Sequence, residues 1–475
     1  MPSLIKLLLA AILLSWLLYV ICSWYCLLQN YLVARMIGMT IRIIPRRWEF
    51  ADKYRVHEEV GDVFVMVTPA RIWVHLCNPE ALAKVLRKEK EFPTPLKIFE
   101  MTKVFDDNLS TADGKSWKKH RRITSPAFNK QNNELVWSES ILQSRDVAKH
   151  WASKREVAST DDTRTLSLHI LSAARFGKFY PFQPHKNRAL TSAILDNCLL
   201  LFVFGTEVIK KPWLPAKARE LYKAAEKKAS DENKPATNNL MTQLMRASIG
   251  DDGLSETEIY GNIFLFNFAR HNITAHTLTF TVYLLATAPD IQDWVSEELE
   301  HVLGSRPTDE WSYTADFPRL KRTLALLYET IRLYSPVPIA KSTGTSNRAL
   351  TAQENTYVIP ANTLLIPNHI AVHTNPKFWG NDGLKFNPRR WVESKSSSID
   401  DEIFVTPRKG VYIPRSDRVH NYPGKKFSQI EFVASLATLL KDHYIEPKPL
   451  PNEAMNQARH RVLKLVEEDT GQVLL

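Results

Sequence analysis

Leu326–Pro338 reads LLYETIRLYSPVP, an apolar helical pattern stopped by two prolines. Glu329 and Arg332 stand three residues apart in it, so on a helix both side chains lie on one face. On so apolar a helix the pair is either buried with partners or solvated, because an unpaired buried charge costs several kcal/mol. Taken alone, the two residues read more simply as a surface ion pair. Some sixty residues further on, Phe386–Trp391 reads FNPRRW, and its Arg390 can bring a second guanidinium to the same carboxylate.

Two more segments carry information. Gly114–Phe128, GKSWKKHRRITSPAF, places Trp117 and Arg121 four apart near a helix start. Tyr422–Leu440, YPGKKFSQIEFVASLATLL, is a turn, then Lys425 and Lys426, then an amphipathic helix. The rest of the chain sets limits. It has 475 residues, 44% apolar and 24% charged, a globular composition. The net charge of +11 is mild for this length, and no basic cluster interleaved with aromatics points to nucleic acid. Cys22, Cys26, Cys77 and Cys198 are too few and too irregular for a disulfide framework or a zinc site. No cysteine follows Cys198. The chain lacks a GxGxxG after a strand, a P-loop, a nucleophile elbow and HExxH.

Leu7–Leu28 is almost wholly apolar, and as a helix it is about 33 Å long against a bilayer core of about 30 Å. A cleaved signal peptide has a shorter apolar core and a small-residue cleavage site. Lys6 precedes the run while Arg35, Arg42, Arg46 and Arg47 follow it, which puts the body of the protein in the cytosol. The expectation is a single-pass signal anchor, at the endoplasmic reticulum, with the main domain cytosolic. The Asn-x-Ser/Thr sites at Asn108 and Asn272 then stay unglycosylated.

Helical patterns cover Glu134–Ser153, Ala216–Lys228, Ser255–Ala286, Ile291–Leu303 and Tyr313–Tyr334. Val63–Val67, Ile72–Leu76, Thr356–Ile359 and Thr363–Pro367 read as strands. Ser230–Asn239 and Glu393–Glu402 read as surface loops, and Leu199–Phe204 as a buried helix end or a segment dipping into the membrane surface. The fold class expected is mainly α with a small β part. Its organisation is a membrane anchor at 1–30, a basic linker at 31–50 and one large domain at 51–475.

These segments together resemble the cytochrome P-450 family of haem-thiolate monooxygenases, most closely its membrane-anchored fungal members. The resemblance runs from anchor to last helix, with the motifs in the family's order. It implies that Glu329, Arg332 and Arg390 form the family's structural triad, and that Trp117 and Arg121 occupy positions contacting a haem propionate.

Two stretches depart from the family. Its ligand loop runs Phe-x-x-Gly-x-Arg-x-Cys-x-Gly, and here the ten positions from Arg415 to Gly424 read RSDRVHNYPG. Arg415 replaces the aromatic, Arg418 the first Gly, His420 the Arg and Tyr422 the ligand Cys; only Gly424 is kept. A thiolate drives O–O cleavage by electron donation, whereas a phenolate at Tyr422 or an imidazole at His420 would be a different iron ligand. The plainer reading makes Tyr422 a packed or hydrogen-bonded side chain, a metal ligand only if haem is bound. The family's long central helix carries Ala-Gly-x-Asp/Glu-Thr. Within Phe266–Leu278, FNFARHNITAHTL, the corresponding residues are Ala269, Arg270, His271, Asn272 and Ile273, so the acid and the alcohol are both replaced. Thr274 is one place on, about 100° around the helix.

Three functions follow from the resemblance. In the first, the protein binds a lipophilic small molecule of specialised metabolism and has lost ordinary haem-thiolate monooxygenation. It then uses no haem and catalyses at most a non-redox step such as cyclisation or rearrangement. His271, Asn272 and Thr274 are the candidate acid, base or donor groups, with His276 about 140° around the helix from His271. In the second, it is a haem-dependent monooxygenase or peroxygenase ligated by Tyr422 or His420. A membrane-bound reductase then docks at Arg415, Arg418, Lys425 and Lys426. In the third, it is a non-enzymatic membrane partner of active homologues or other biosynthetic enzymes.

Overall fold

The structure, a computed structural model, describes residues 48–67, 72–96, 100, 103, 105–154, 160–182, 244–246, 248, 250, 252–335, 340–413 and 424–468, with backbone alone at 127, 176 and 267–272. Leu7–Leu28, Leu199–Phe204, Ala216–Lys228 and Ser230–Asn239 lie outside the described residues. Among the described residues no helix is long and apolar enough to cross a membrane.

α1 (Trp48–Asp52) and α2 (Arg55–Val60) lead into the hairpin of β1 (Val63–Val67) and β2 (Ile72–Leu76). Then come α3 (Pro79–Arg87), α4 (Gly114–Thr124), α5 (Lys130–Lys154), α6 (Thr160–Phe176), α7 (Glu256–Thr287), α8 (Pro289–Leu303) and α9 (Lys321–Leu333). β3 (Lys341–Ser342), β4 (Arg348–Ala352), β5 (Asn355–Ile359) and β6 (Leu364–Pro367) follow. The chain continues with α10 (His369–Thr374), α11 (Pro376–Trp379), β7 (Val392–Ser394), β8 (Glu402–Phe404), α12 (Lys425–Lys441) and α13 (Met455–Glu468). One sheet has the order β1-β2-β6-β3, with β2 and β6 parallel; β4–β5 and β7–β8 are separate antiparallel pairs. The fold is mainly α with a small β part, as expected.

Local chemistry sets the boundaries. α3 starts at Pro79 behind Asn78, whose side chain accepts from the Glu80 and Ala81 amides at 3.1 and 3.0 Å. α7 opens with a reciprocal capping box between Ser255 and Glu258 and gives way to α8 at Pro289. α9 begins at Lys321, not at Tyr313 as the periodicity predicts. Pro318 disfavours helical geometry at Phe317, and residues 313–319 form turns. A cap for α9 comes from α8 instead: buried Glu298 accepts from the Thr323 amide and hydroxyl at 2.9 and 2.8 Å and from the Arg322 amide at 2.5 Å. Burial pushes this carboxyl up to about 7. The predicted loop Glu393–Glu402 also needs correcting, because its ends are the arms of the β7–β8 hairpin.

α12 is not amphipathic. Every residue from Phe427 to Leu440 is buried, so the helix runs through the core, packed most extensively along α5. Two of its hydroxyls are absorbed within the helix: Ser428 donates to the Lys425 carbonyl at 2.9 Å and Thr438 to the Ala434 carbonyl at 2.8 Å. Asn108 is fully buried and its side chain accepts from the Ser110 amide at 2.9 Å, which takes that glycosylation site out of reach in the folded protein.

Several histidines are buried in the neutral form. Desolvation lowers His57, His169 and His369 to about 4 and His75 to about 3, and holds His373 well below the ordinary value. The unfolded chain takes up protons that the folded chain refuses, so this stability is complete above about pH 6.5 and is lost as pH falls toward 4, on the order of 3 kcal/mol per group. The urea midpoint is therefore expected to fall steeply between pH 6.5 and 4.5. A flat profile over that range would contradict neutral burial.

Candidate functional site

The centre of the conserved-looking motifs is the Glu329 carboxylate in the last two turns of α9, with no exposed surface. Arg332 reaches it through Nε at 2.8 Å and Nη2 at 2.7 Å, and Arg390 through Nε at 3.3 Å. The Trp391 indole and the Asn387 amide each donate to it at 2.9 Å. Arg332, equally buried, spends its other N–H groups on the carbonyls of His373 at 2.6 Å, Gly383 at 2.5 Å and Lys385 at 3.2 Å. Asp382 meets Arg390 at 2.9 Å, so two carboxylates balance two guanidinia. The surface-pair reading of Glu329 and Arg332 is thereby excluded. Gly383 is required for its closeness: a Cβ there would stand 2.9 Å from the Thr374 carbonyl oxygen.

α4 carries Trp117, buried, and Arg121, half-buried with its guanidinium lowered by desolvation. The helix is sewn to the first turns of α7 and to the loop before it. Lys119 pairs with Glu258 at 3.2 Å and Arg122 with Asp252 at 2.5 Å. The Asn262 amide donates to His120 Nδ1 at 2.8 Å, which leaves the ring proton on Nε2, 3.5 Å from Glu258. No spacing signal in the sequence pointed to His120 or Asn262.

Ala269–Asn272 lie within α7, and the side chains of His271 and Asn272 are outside the described residues. Thr274 and His276 are buried. Sequence reasoning passed over Thr277, one turn beyond Ile273 and on its face, whose hydroxyl donates to the Ile273 carbonyl at 2.7 Å. Arg415, Arg418, His420 and Tyr422 fall in 414–423, outside the described residues; Gly424 is buried at the start of α12. Lys426 is engaged by the Phe317 ring, 4.0 Å from its centroid.

A family model for cytochrome P450 matches residues 49–473. The chain belongs to the cytochrome P450 family. It is 25% identical to a cytochrome P450 monooxygenase of Arthrobotrys oligospora, over 90% of this chain and 84% of that one. It is 26% identical to one of Penicillium roqueforti, covering 85% and 79% of the two chains. It is also 26% identical to the phomenoic acid biosynthesis cluster cytochrome P450 monooxygenase of Leptosphaeria maculans, covering 80% and 75%.

Family membership implies a haem held by a cysteine thiolate, and the donors among the described residues do not fit one. The only described cysteine is Cys77, wholly buried at the β2–α3 junction, its thiol pushed up to about 12 by burial. Tyr422, expected from the sequence at the ligand position, lies outside the described residues. Among the described residues no three His, Cys, Asp or Glu side chains are arranged to hold a metal.

The Glu329 cluster makes a stability prediction. Glu329→Leu leaves two buried guanidinia short of a partner and is expected to cost about 3–5 kcal/mol. Arg390→Lys keeps a cation near Asp382 and should cost about 1–2 kcal/mol. Urea denaturation of both variants decides this, and equal losses would count against Glu329 as the common acceptor.

Proposed function

We propose that this P450 keeps the family scaffold to bind a lipophilic small molecule of specialised metabolism, and that it no longer performs ordinary haem-thiolate monooxygenation. The observation that carries the reading is a contrast of donors. Glu329 keeps its five hydrogen bonds, while Tyr422 stands at the thiolate position and the one described thiol is buried and protonated. The loss of the acid and alcohol at Asn272 and Ile273 agrees with it, since no carboxyl–hydroxyl pair remains there to hand on a proton. The site then serves binding or a non-redox step such as cyclisation or rearrangement, with His271, Asn272 and Thr274 as donor and acceptor groups. Relatives in fungal biosynthesis support the substrate class. The Leu7–Leu28 run supports a single-pass anchor, with the domain on the cytosolic face of the endoplasmic reticulum.

A second reading, haem ligated by Tyr422 or His420, is favoured by one observation: Trp117 and Arg121 are both kept on α4. It would require a membrane-bound reductase as partner.

The full chain, purified in detergent, is expected to show no Soret band beside a well-folded circular dichroism spectrum. It should form no NADPH-dependent product in membranes containing reductase. A Soret band without the red-shifted carbonyl peak of a thiolate would favour the second reading. That red-shifted peak, or robust NADPH-dependent turnover, would overturn the proposal. Tyr422→Cys alone is expected to restore neither, because Arg418, Arg270 and Ile273 remain.

A further inference from the structure

Residues 105–112, which lead into α4, lie clasped on the first turns of α7. The Phe105 ring meets the Tyr260 and Phe264 rings edge-on, with centroids 5.9 and 6.2 Å away. Thr257 donates its hydroxyl to the Asp106 carboxylate at 2.7 Å, and a Cβ on Gly261 would stand 2.8 Å from the Asp106 carbonyl oxygen. Asn262, with no exposed surface, closes the clasp. Its Oδ1 accepts from the Leu109 amide at 3.1 Å, while its Nδ2 donates to His120 Nδ1 at 2.8 Å and to the Glu258 carbonyl at 2.7 Å.

The Asn262 amide serves these three partners in one orientation only. Turned over, it would set its NH2 group against the Leu109 N–H and its oxygen against the Glu258 carbonyl. Nδ1 of the fully buried His120 must therefore be bare, with the single ring proton on Nε2. A second proton would sit on Nδ1 and point at the Asn262 NH2 group. The charged groups facing the ring are Glu258 on α7, Asp106 and Asp107 in the clasped segment, and Lys119 on α4 itself. The three acids favour an imidazolium, yet burial outweighs them and holds the imidazole below its ordinary value.

We propose that residues 105–112 are a pH-sensitive strap, closed on α7 while His120 is neutral and released when His120 takes a proton. α4 follows directly, capped by Asp113, so release frees the leading end of the helix that carries Trp117 and Arg121. The closed form refuses a proton that the open form accepts. Closure is therefore complete above about pH 6.5 and is lost as pH falls below it. The strap is built from this chain's own groups and stands apart from the proposed function.

Hydrogen exchange of the full chain in detergent, read as protection relative to the intrinsic amide rate, tests this between about pH 7.5 and 5.5. One proton taken up at the ordinary histidine value lowers protection of 105–112 about tenfold over that range. His120→Asn leaves a carbonyl acceptor where Nδ1 stood and nothing to titrate, so the strap should stay protected throughout. Gly261→Ala drives a Cβ against the Asp106 carbonyl and should lower strap protection about tenfold already at the upper pH. Protection of 105–112 that does not change with pH in the unaltered protein would overturn the proposal. So would a fall as steep as that of the helical core, because the segment would then open only when the whole chain unfolds. Those two readings need no variant and hold even where a buried substitution fails to fold. Among folded variants, an unchanged pH dependence in His120→Asn or full protection in Gly261→Ala would also overturn it. A Soret band would bear on the proposed function alone and leave this comparison standing.

Discussion

A carboxylate with no access to water has to be met by donors from the protein, and Glu329 is met by five from two stretches of chain. Arg332 extends the demand outward, because its remaining N–H groups take the carbonyls of His373, Gly383 and Lys385. Much of 380–391 is irregular backbone, where no long helix or sheet supplies hydrogen-bond partners. The guanidinia supply them instead. The cluster thus acts as a pattern for the chain path from α10 to β7: Gly383 must approach closely, Asp382 must face Arg390, and Trp391 must turn its indole inward. Removing one charge would leave the others buried and uncompensated, so the arrangement stands or falls together.

Much of this was legible in the sequence. The i,i+3 spacing of Glu329 and Arg332 on an apolar helix already required partners, and FNPRRW offered one. The helical pattern over Ser255–Ala286 matched α7 to within a residue at each end. What the sequence hid was tertiary. Nothing in the spacing tells that Asp382 faces Arg390, that His373 links Arg332 to Ile413, or that Glu298 caps a helix more than twenty residues away. α12 misled for a related reason: Ser428, Gln429, Glu431, Ser435 and Thr438 look like a polar face until neighbouring helices enclose them. The overextended start of α9 had a local signal, Pro318, that helical periodicity outweighed.

The residues that hold the fold and those that differ from the family in chemistry are separate sets. Glu329, Arg332, Arg390, Asp382 and Trp391 satisfy one another among the described residues, and described side chains pack α12 along α5. Unconstrained decay would strike both sets alike. The retention of the Glu329 set agrees with the proposed reading, in which the scaffold is kept for a different use.

α7 makes the same point within a single helix. Thr277, Thr279 and Thr281 each donate to the carbonyl four residues back, at 2.7, 3.0 and 2.7 Å. Thr279 also meets Thr163 of α6 at 2.7 Å, and Thr281 meets Thr330 of α9 at 2.9 Å. The Thr279 and Thr281 hydroxyls are therefore cross-helix rivets. Thr277 lies on the face of Ile273, one turn along, and invites comparison with the alcohol that Ile273 replaces. Its single proton, however, is committed to the Ile273 carbonyl. A hydroxyl that gives its proton to the backbone still accepts hydrogen bonds, but it passes no proton onward without first releasing that carbonyl. Such back-bonding shapes a helix more than it serves a relay. The Thr277 hydroxyl is thus spent on the form of α7, and any proton transfer beside it falls to other groups.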